Sequence, residues 1–273
     1  MRRFFAPFVI FCVFLFAACV SRPRISEASY LPESFDWQEI SDEAGAVVPG
    51  VWRFDFENTE IPLIYHAVKI DLAKTGEGDK ASLKLATSRW ERTADFAARE
   101  NCLVAMNATP FDKTQLAGIY KVNGELVSGP VARYAALGVK CDASGQASFA
   151  RVFTSQKDSG LEAFDYAFGG FFTVVEEGVV RTDFIPRQTS RSGAGVSEDG
   201  RTLYLLVVEG EHPSKSLGLS YPQCGEIFKA MGCYDALEFD GGGSSDLCIN
   251  GRSVLSYKVR RVQGNSVGLK KRP

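Results

Sequence analysis

A run of three glycines at residues 241–243 constrains the fold of this chain more than any other feature, because it follows a β-type pattern and no helical pattern comes after it. Residues 236–240 alternate in polarity, which predicts a strand that ends at Asp240. Farther along, Asn250 and Gly251 separate two short β-forming segments, a pattern typical of a tight hairpin. We therefore expect this part of the chain to belong to a sheet.

The same stretch predicts a ligand site. Asp240 stands beside three residues without side chains, so a ligand can approach the main chain and meet exposed backbone amides. The hydroxyls of Ser244 and Ser245 follow directly. A carboxylate, amides and hydroxyls together suit an anionic or polyhydroxylated ligand. The stretch has neither the Gly-Lys-Ser/Thr of a Walker loop nor a Gly-x-Gly-x-x-Gly that opens a helix, which excludes two nucleotide-binding loops.

Other short motifs accompany the glycine run in a fixed order between residues 65 and 269. They occupy residues 106–112, 168–171, 191–195, 209–210, 218–220, 240–245 and 261–265. In this order they resemble the phosphodiester glycosidase family, which is related to the enzyme that uncovers mannose 6-phosphate by removing N-acetylglucosamine. The chain departs from the family pattern at residues 108–110, at Glu209, where aspartate is usual, and at Glu211, where a basic residue is common.

The resemblance implies hydrolysis of a sugar 1-phosphodiester at its anomeric carbon, with a carbohydrate phosphodiester as the binding partner. No cofactor or metal site is predicted. It implies that Asp240 is the principal catalytic carboxylate and that Glu209 is a second one. The planar guanidinium of Arg191 suits a bidentate contact with phosphate. The substrate-binding residues implied by the resemblance are Asn107, Arg191, Gly241, Gly242, Gly243, Ser244 and Ser245.

Structural roles compete with these assignments. Asp240 could bond the amides of its own turn, Glu209 could be a solvated acid at a strand end, and Asn107 could cap its loop. A different class of function also stays open. The chain could be a non-catalytic envelope lipoprotein that binds a glycan or phosphoglycan, or one that helps to build exopolysaccharide.

The predicted fold is a single α+β domain, in which a mixed, largely antiparallel sheet carries a few short helices. Alternation predicts strands at residues 64–72, with His66 on the apolar face, at 103–107 and at 203–208. Hairpins are predicted at Asn123-Gly124, at 198–200 and at Asn250-Gly251. Helices are predicted at 88–99, and at 220–231 with Ser220 as cap, Pro222 in the first turn and Gly232 as stop.

The N-terminal residues predict export and anchoring. Two arginines and an uncharged apolar run predict a signal peptide over residues 1–18. Small residues directly before Cys19 resemble a relaxed bacterial lipobox, so we expect Cys19 to be lipidated, for example with palmitate, and to hold the protein on a membrane of the bacterial cell envelope. A plain secretory signal or an uncleaved anchor is the alternative. Residues 19–58 are expected to form a tether and an extension packed on the domain, and residues 59–273 the glycosidase-like domain, folded from about Ile61 onward.

Charge and cysteine content narrow the remaining possibilities. The net charge is −2 and no basic patch favours nucleic acid as a partner. Export permits disulfides, and Cys224 with Cys233 is the expected bridge, whereas Cys102 and Cys248 are expected to be buried apolar residues. With two histidines and no Cys-x-x-Cys, no zinc site is predicted.

The anchor prediction has a direct test. Cys19→Ser removes the only atom in the proposed lipobox that can be acylated, so the protein should move from the membrane fraction to the soluble envelope fraction. Detergent partitioning and mass spectrometry of the mature N-terminus check this. Unchanged partitioning without an acyl mass on the parent protein would exclude the anchor.

Overall fold

The computed structural model describes residues 30–72 and 83–271, so the predicted signal peptide and Cys19 lie outside the described residues. Among the described residues, no helix is both long enough and apolar enough to cross a membrane. In chain order the elements are β1 (Gln38–Ser41), β2 (Val47–Asn58), β3 (Leu63–Asp71), β4 (Leu83–Glu91), α1 (Thr93–Arg99), β5 (Val104–Asn107), β6 (Phe111–Asp112), β7 (Gln115–Leu116), β8 (Tyr120–Val122), β9 (Glu125–Ser128), β10 (Ala136–Cys141), β11 (Ala147–Phe153), β12 (Tyr166–Gly169), β13 (Thr173–Glu176), β14 (Val179–Val180), β15 (Arg191–Val196), β16 (Thr202–Val208), α2 (Tyr221–Met231), β17 (Asp235–Glu238), β18 (Leu247–Ile249), β19 (Arg252–Ser253) and β20 (Gln263–Lys271).

Three larger sheets and one two-stranded ribbon contain these strands. The main sheet has eight strands in the order β1-β2-β3-β16-β15-β17-β13-β14. Two five-stranded sheets have the orders β11-β10-β12-β8-β9 and β19-β18-β5-β20-β4, and β6 pairs with β7. Every pairing between these described strands is antiparallel. The expected, largely antiparallel sheet with little helix is therefore confirmed, and the mixed sheet is corrected to an antiparallel one.

Both faces of the main sheet are buried. On one face, residues such as Val68 and Leu205 pack with Met106 and Phe168 of the two five-stranded sheets in the largest hydrophobic cluster. On the opposite face, α2 packs through residues such as Phe228. Fully burying a large apolar side chain contributes about 1.5–3 kcal/mol, so the two faces together supply most of the driving force for folding. His66 follows the parity of Val68 and therefore lies on the face shared by the three sheets, as the alternation of β3 predicts.

Several local predictions are confirmed. The hairpins at Asn123-Gly124 and Asn250-Gly251 have positive φ at both residues, 50° and 83° in the first and 48° and 70° in the second. The residue pair suits these turns because asparagine and glycine tolerate the left-handed region. Helix α2 begins with a capping box between Ser220 and Gln223 and ends at Gly232, whose φ is 101°.

Three predictions are wrong. The expected helix at 88–99 is shorter, because Ser88 pairs with Ser266 in the ladder of β4 and β20 and Trp90 has a φ of 55° that a helix cannot accept. The folded body begins before Ile61, since β1 and β2 pair with each other and β2 pairs with β3 in the main sheet.

The expected Cys224–Cys233 bridge is also absent, because all five cysteines of the described residues are free. Cys224 faces the carboxylate of Glu238, whereas Cys233 packs against Gly195. Cys102 and Cys248 are buried beside α1, in agreement with the expectation that they are apolar core residues.

Glu238, at the end of β17, is a charged residue buried between the main sheet and α2. Its side chain is 1% exposed, and within the described part of the chain neither carboxylate oxygen has a hydrogen-bond partner. Burial raises the pKa of Glu238 to about 7, although the nearby charge of Arg191 and the thiol of Cys224 lower it in part. The folded state therefore binds a proton that an unfolded glutamate releases near pH 4.3.

The contribution of Glu238 to stability should consequently fall as pH rises from about 4.5 to about 7 and then level off, because Glu238 binds more protons in the folded state than in the unfolded state in this window. Glu238→Gln removes the titration, so the stability difference between variant and parent should move in favour of the variant by roughly 2 to 3 kcal/mol across that window. Denaturant unfolding at pH 5 and pH 8 measures the difference. The exposed Glu33→Gln is the control, and parallel pH profiles for parent and Glu238→Gln would contradict the prediction.

Candidate functional site

The carboxamide of Asn107, at the end of β5, brings the predicted motifs together. Its Nδ2 donates to the carbonyl of Asp240 at 2.7 Å. Its Oδ1 accepts from the Ser192 hydroxyl at 2.8 Å and from the Asp246 amide at 2.9 Å. Asn107 is fully buried, and its side chain bonds to Ser192 in β15 and to both ends of the loop at residues 240–246. Asn107, which was expected to bind substrate, therefore positions this loop.

The last of the matched motifs, residues 261–265, also bonds to the segments around Asn107. Asn265, in β20, accepts from the amides of Ala108 and Thr109 through its carbonyl and its Oδ1. The amide of Asp240 donates to the carbonyl of Ala108 at 2.9 Å. Residues 108–110 depart from the family pattern, yet the main chain there is held by hydrogen bonds to Asn265 on one side and to Asp240 on the other.

The loop after Asp240, which we call the glycine loop (residues 240–246), contains a short 3₁₀ turn at Gly242–Ser244. The amide of Gly242 donates to the carbonyl of Ser190 at 3.0 Å, and the amide of Gly241 bonds the Asp240 carboxylate. Two of the three glycine amides expected to bind a ligand are therefore used within the protein. Ser244 and Ser245 are both buried, and the Ser245 hydroxyl has no hydrogen-bond partner among the residues that the structure describes.

The Asp240 carboxylate is only partly buried and lies at the mouth of this loop. Burial raises its pKa to about 6, while a hydrogen bond from Ser244, the charge of Arg261 and the amide of Gly241 oppose the increase. The cation that acts on Asp240 is thus Arg261, whose Nη1 also donates to the Ser244 hydroxyl at 3.4 Å. A carboxylate that titrates near neutral pH can exchange protons during a reaction.

An open slot lies above Gly243 and is flanked by opposite charges. An ideal Cβ on Gly243 would lie 3.5 Å from Oε2 of Glu211 and 3.8 Å from Cζ of Arg261. Glu211 is held on its other side by the Ser190 hydroxyl, which donates to Oε1 at 3.2 Å. Within the described ranges neither Glu211 nor Arg261 has an ion-pair partner within 4 Å. Only a glycine leaves this space free for a ligand.

The slot opens into a cavity of about 480 Å³. Its lining residues are Glu211, His212, Gly243, Tyr257, Lys258, Val259, Arg260 and Arg261. Three of them are exposed cations from one segment, which suits a phosphate or phosphodiester. In the described part of the chain, no group of three or more histidine, cysteine, aspartate or glutamate side chains is placed to hold a metal ion.

Arg191 does not supply the expected phosphate contact, although its main chain lies next to Gly241. Its Nε donates to the Leu219 carbonyl at 2.9 Å and its Nη2 to the Arg187 carbonyl at 2.6 Å. The guanidinium carbon lies 3.9 Å from the centre of the Tyr221 ring, and the residue is 7% exposed. Arg191 therefore anchors the start of β15 and of α2.

Glu209 also points away from the cavity. Its carboxylate accepts from the amide of Ser256 at 2.6 Å and from the Ser256 hydroxyl at 2.5 Å. Burial alone would raise its pKa, but the nearby imidazole of His66 and the two hydrogen bonds from Ser256 outweigh burial, so the pKa lies below its ordinary value. The carboxylate that faces the glycine loop beside Asp240 is Glu211, two residues later.

Sequence reasoning missed the roles of Glu211 and of the cations at residues 258–261. Two signals could have found them. Arg261 opens the last matched motif, and Lys258, Arg260 and Arg261 form a local basic cluster directly before it. Glu211 lies just after a strand end, at a position where the family commonly has a basic residue. This change of charge indicates that the side chain at this position faces the site.

Comparisons with known proteins show the family and the fold of this chain. The family model described as phosphodiester glycosidase matches residues 100–270, more than half of the chain. No curated protein sequence matches significantly. A similar solved structure is the catalytic domain of zebrafish N-acetylglucosamine-1-phosphodiester alpha-N-acetylglucosaminidase, auto-inhibited by its pro-peptide, with a TM-score of 0.61 and 19% identity over 88% of this chain and 89% of that one.

Two further solved structures share the fold. A hypothetical protein from Synechocystis has a TM-score of 0.62 and 14% identity, over 82% of this chain and 62% of that one. A putative exported protein from Burkholderia pseudomallei has a TM-score of 0.52 and 17% identity, over 76% of this chain and 74% of that one. At such identities these structures establish the fold alone. The family model, together with Asp240 in its glycine loop, places this chain in the phosphodiester glycosidase family.

Proposed function

We propose that this protein hydrolyses a sugar 1-phosphodiester at the anomeric carbon, in the envelope of a bacterial cell. The observation that carries the proposal is the Asp240 carboxylate, partly exposed at the glycine loop, with a pKa of about 6 and with Arg261 as its neighbouring cation. Membership in the phosphodiester glycosidase family supports the reaction class.

In this mechanism the bond between the anomeric carbon and the bridging phosphate oxygen breaks, and water supplies the oxygen that replaces it. Asp240 acts on the anomeric carbon, either as the base that takes a proton from water or as the nucleophile. The phosphate monoester leaves as an anion. Because that group leaves readily, stabilising its charge matters more than protonating it.

The cations at residues 258–261 are placed to receive this charge. Lys258, Arg260 and Arg261 are exposed and line the cavity beside Gly243. Glu211, on the other side of the slot, is a hydrogen-bond acceptor for a sugar hydroxyl or a basic group on the substrate. Opposite charges across one slot would orient a phosphodiester with its sugar toward Glu211 and its phosphate toward Arg261.

A panel of sugar 1-phosphodiesters with different sugars tests the proposal on purified protein. Release of free sugar and phosphate monoester in equal amounts supports it. Binding of the same compounds without any release would instead favour the non-catalytic glycan- or phosphoglycan-binding lipoprotein, or a role in exopolysaccharide assembly.

For a substrate that the parent cleaves, kcat/KM should rise as pH increases through about 6, because Asp240 must lose its proton to act as base or nucleophile. Asp240→Asn keeps the size of the side chain but removes the charge, so kcat/KM should fall roughly 10²- to 10⁴-fold with little change in Tm. Steady-state kinetics and thermal unfolding check both points. Near-parental turnover in Asp240→Asn would exclude this mechanism.

The two arginines should give opposite phenotypes when replaced by lysine. Arg261→Lys loses the planar fork, so kcat/KM should fall about tenfold or more, whereas Tm should hardly change because the side chain is exposed. Arg191→Lys cannot keep two carbonyl bonds and the stack on Tyr221, so its main effect should be a Tm lower by several degrees. If Arg191→Lys lowered mainly kcat/KM and Arg261→Lys lowered mainly Tm, Arg191 would be the residue that contacts the phosphate.

A further inference from the structure

Four side chains form a continuous row from β2 to the irregular segment before β20. His66 Nδ1 donates to Oδ1 of Asp55 at 2.5 Å. Across the ring, His66 Nε2 lies 3.6 Å from Oε1 of Glu209, which is beyond hydrogen-bonding distance but within ion-pair range. Glu209 in turn accepts both bonds from Ser256. The row therefore runs Asp55, His66, Glu209, Ser256.

The last member of the row holds a segment that has few other attachments. Residues 256–262 belong to no strand, and within the described structure Ser256 is the residue among them whose backbone amide is hydrogen-bonded to the protein. Val259 packs into the core, and Arg261 reaches Ser244. The cations Lys258, Arg260 and Arg261 all follow Ser256 within five residues. The Glu209 carboxylate is thus the polar anchor of the cationic segment (residues 256–261).

The row favours a protonated imidazole. A neutral imidazole has a single N–H, and in this structure it donates to Asp55. The Nε2 lone pair would then point at the Glu209 carboxylate, which is unfavourable. A protonated ring offers an N–H to each acid. Burial disfavours the charged ring, but the two carboxylates outweigh burial, and the pKa of His66 is raised above its ordinary value.

Other charged groups lie near the row, but none of those described replaces the contact between His66 and Glu209. In β2, Arg53 pairs with Asp55 at 2.5 Å. Glu57 and Lys215 line a cavity of about 540 Å³ together with His66, Glu209 and Ser256. His66 is 8% exposed, and its Nε2 is buried without a hydrogen-bond partner in the described structure. The nitrogen that faces Glu209 has no other acceptor to satisfy it.

We propose that His66 is a positioning residue which, as an imidazolium between Asp55 and Glu209, holds the Glu209 carboxylate on Ser256 and so keeps the cationic segment at the glycine loop. Glu209 then acts through the segment that it anchors, and its role differs from that of a second catalytic carboxylate. The inference rests on the proposed function only in one respect, namely that the anion bound by the cationic segment is a phosphodiester. Its structural part can be tested without any substrate.

The first experiment uses the fact that the chain has two histidines, His66 and His212. In a ¹H–¹³C correlation spectrum two ring signals are expected, and His212→Gln assigns them. The pKa of His66 should lie above 6.5 in the parent and should fall in Glu209→Gln and in Asp55→Asn. A parental pKa at or below 6.5, or one that does not respond to either variant, would overturn the proposal.

The second experiment measures backbone hydrogen exchange at Ser256. Exchange, corrected for its intrinsic pH dependence, should become at least about tenfold faster in His66→Gln, and also in the parent once the pH passes the pKa of His66. Should His66→Gln fail to fold, the pH dependence of exchange in the parent still tests the imidazolium. Ser256→Ala, at an exposed residue, removes the hydroxyl bond to Glu209 but keeps the amide bond, so exchange at residue 256 should be faster, whereas Ser256→Thr should restore parental exchange. Protection that is unaffected by Ser256→Ala would contradict the anchor.

The kinetic experiment then connects the row to substrate. The parent's KM for a cleaved phosphodiester should rise as pH passes the pKa of His66, and in His66→Gln the KM should be raised and independent of pH while kcat changes less. Asp95→Asn, which breaks an exposed ion pair on α1, is the matched control and should keep the parental profile. A pH-dependent KM that persists in His66→Gln would refute the positioning role. If the parent cleaves no phosphodiester, the proposed function fails, while the spectra and exchange rates still decide the role of His66.

Discussion

The buried carboxamide of Asn107 is the interaction on which the geometry of the site depends. It joins β5 to the start of β15 and to both ends of the glycine loop, Asp240 and Asp246, so it connects three segments that are far apart in the sequence. A typical hydrogen bond contributes about 0.5–1.5 kcal/mol net, but a buried group that loses its partner costs about 1–3 kcal/mol. Any other arrangement would leave the Ser192 hydroxyl and the Asp246 amide without partners. The position of the Asp240 carboxylate is therefore determined by a residue that is itself inaccessible to a ligand.

Whether a charged side chain near the glycine loop can bind a ligand depends on whether it is already bonded within the protein. Arg191 is adjacent to Gly241 in the main chain, yet two carbonyls and the Tyr221 ring hold its guanidinium inside the protein. Arg261 comes from an irregular segment and is exposed, so its guanidinium keeps donors for a ligand. Burial thus separates an arginine that stabilises the fold from one that can bind an anion, although both occur in the matched motifs.

Local patterns predicted local structure well in this chain. The Asn-Gly pairs, the capping box of α2 and the alternation of β3 each depend on a few neighbouring residues, and each is found as expected. The expected helix at 88–99 was wrong because its first residues pair with β20, about 180 positions later, a contact that local propensity does not contain. The same limit applies to the site. Asp240 and its glycine loop could be predicted, whereas the cation and the acid that face the loop come from distant segments.

The two acids first assigned to catalysis show how these distant segments decide function. Glu209 and Asp240 both end a strand and both precede a glycine, so their local sequences are nearly equivalent. Glu209 receives two bonds from Ser256 and lies beside His66, so its pKa is lowered and it stays ionised in a structural role. For Asp240, burial outweighs the hydrogen bonds from Ser244 and Gly241 and the charge of Arg261, and its pKa rises to about 6. Two carboxylates whose pKa values are pushed apart by their surroundings suit different tasks, and here only Asp240 lies at the mouth of the glycine loop with a pKa suited to proton transfer near neutral pH.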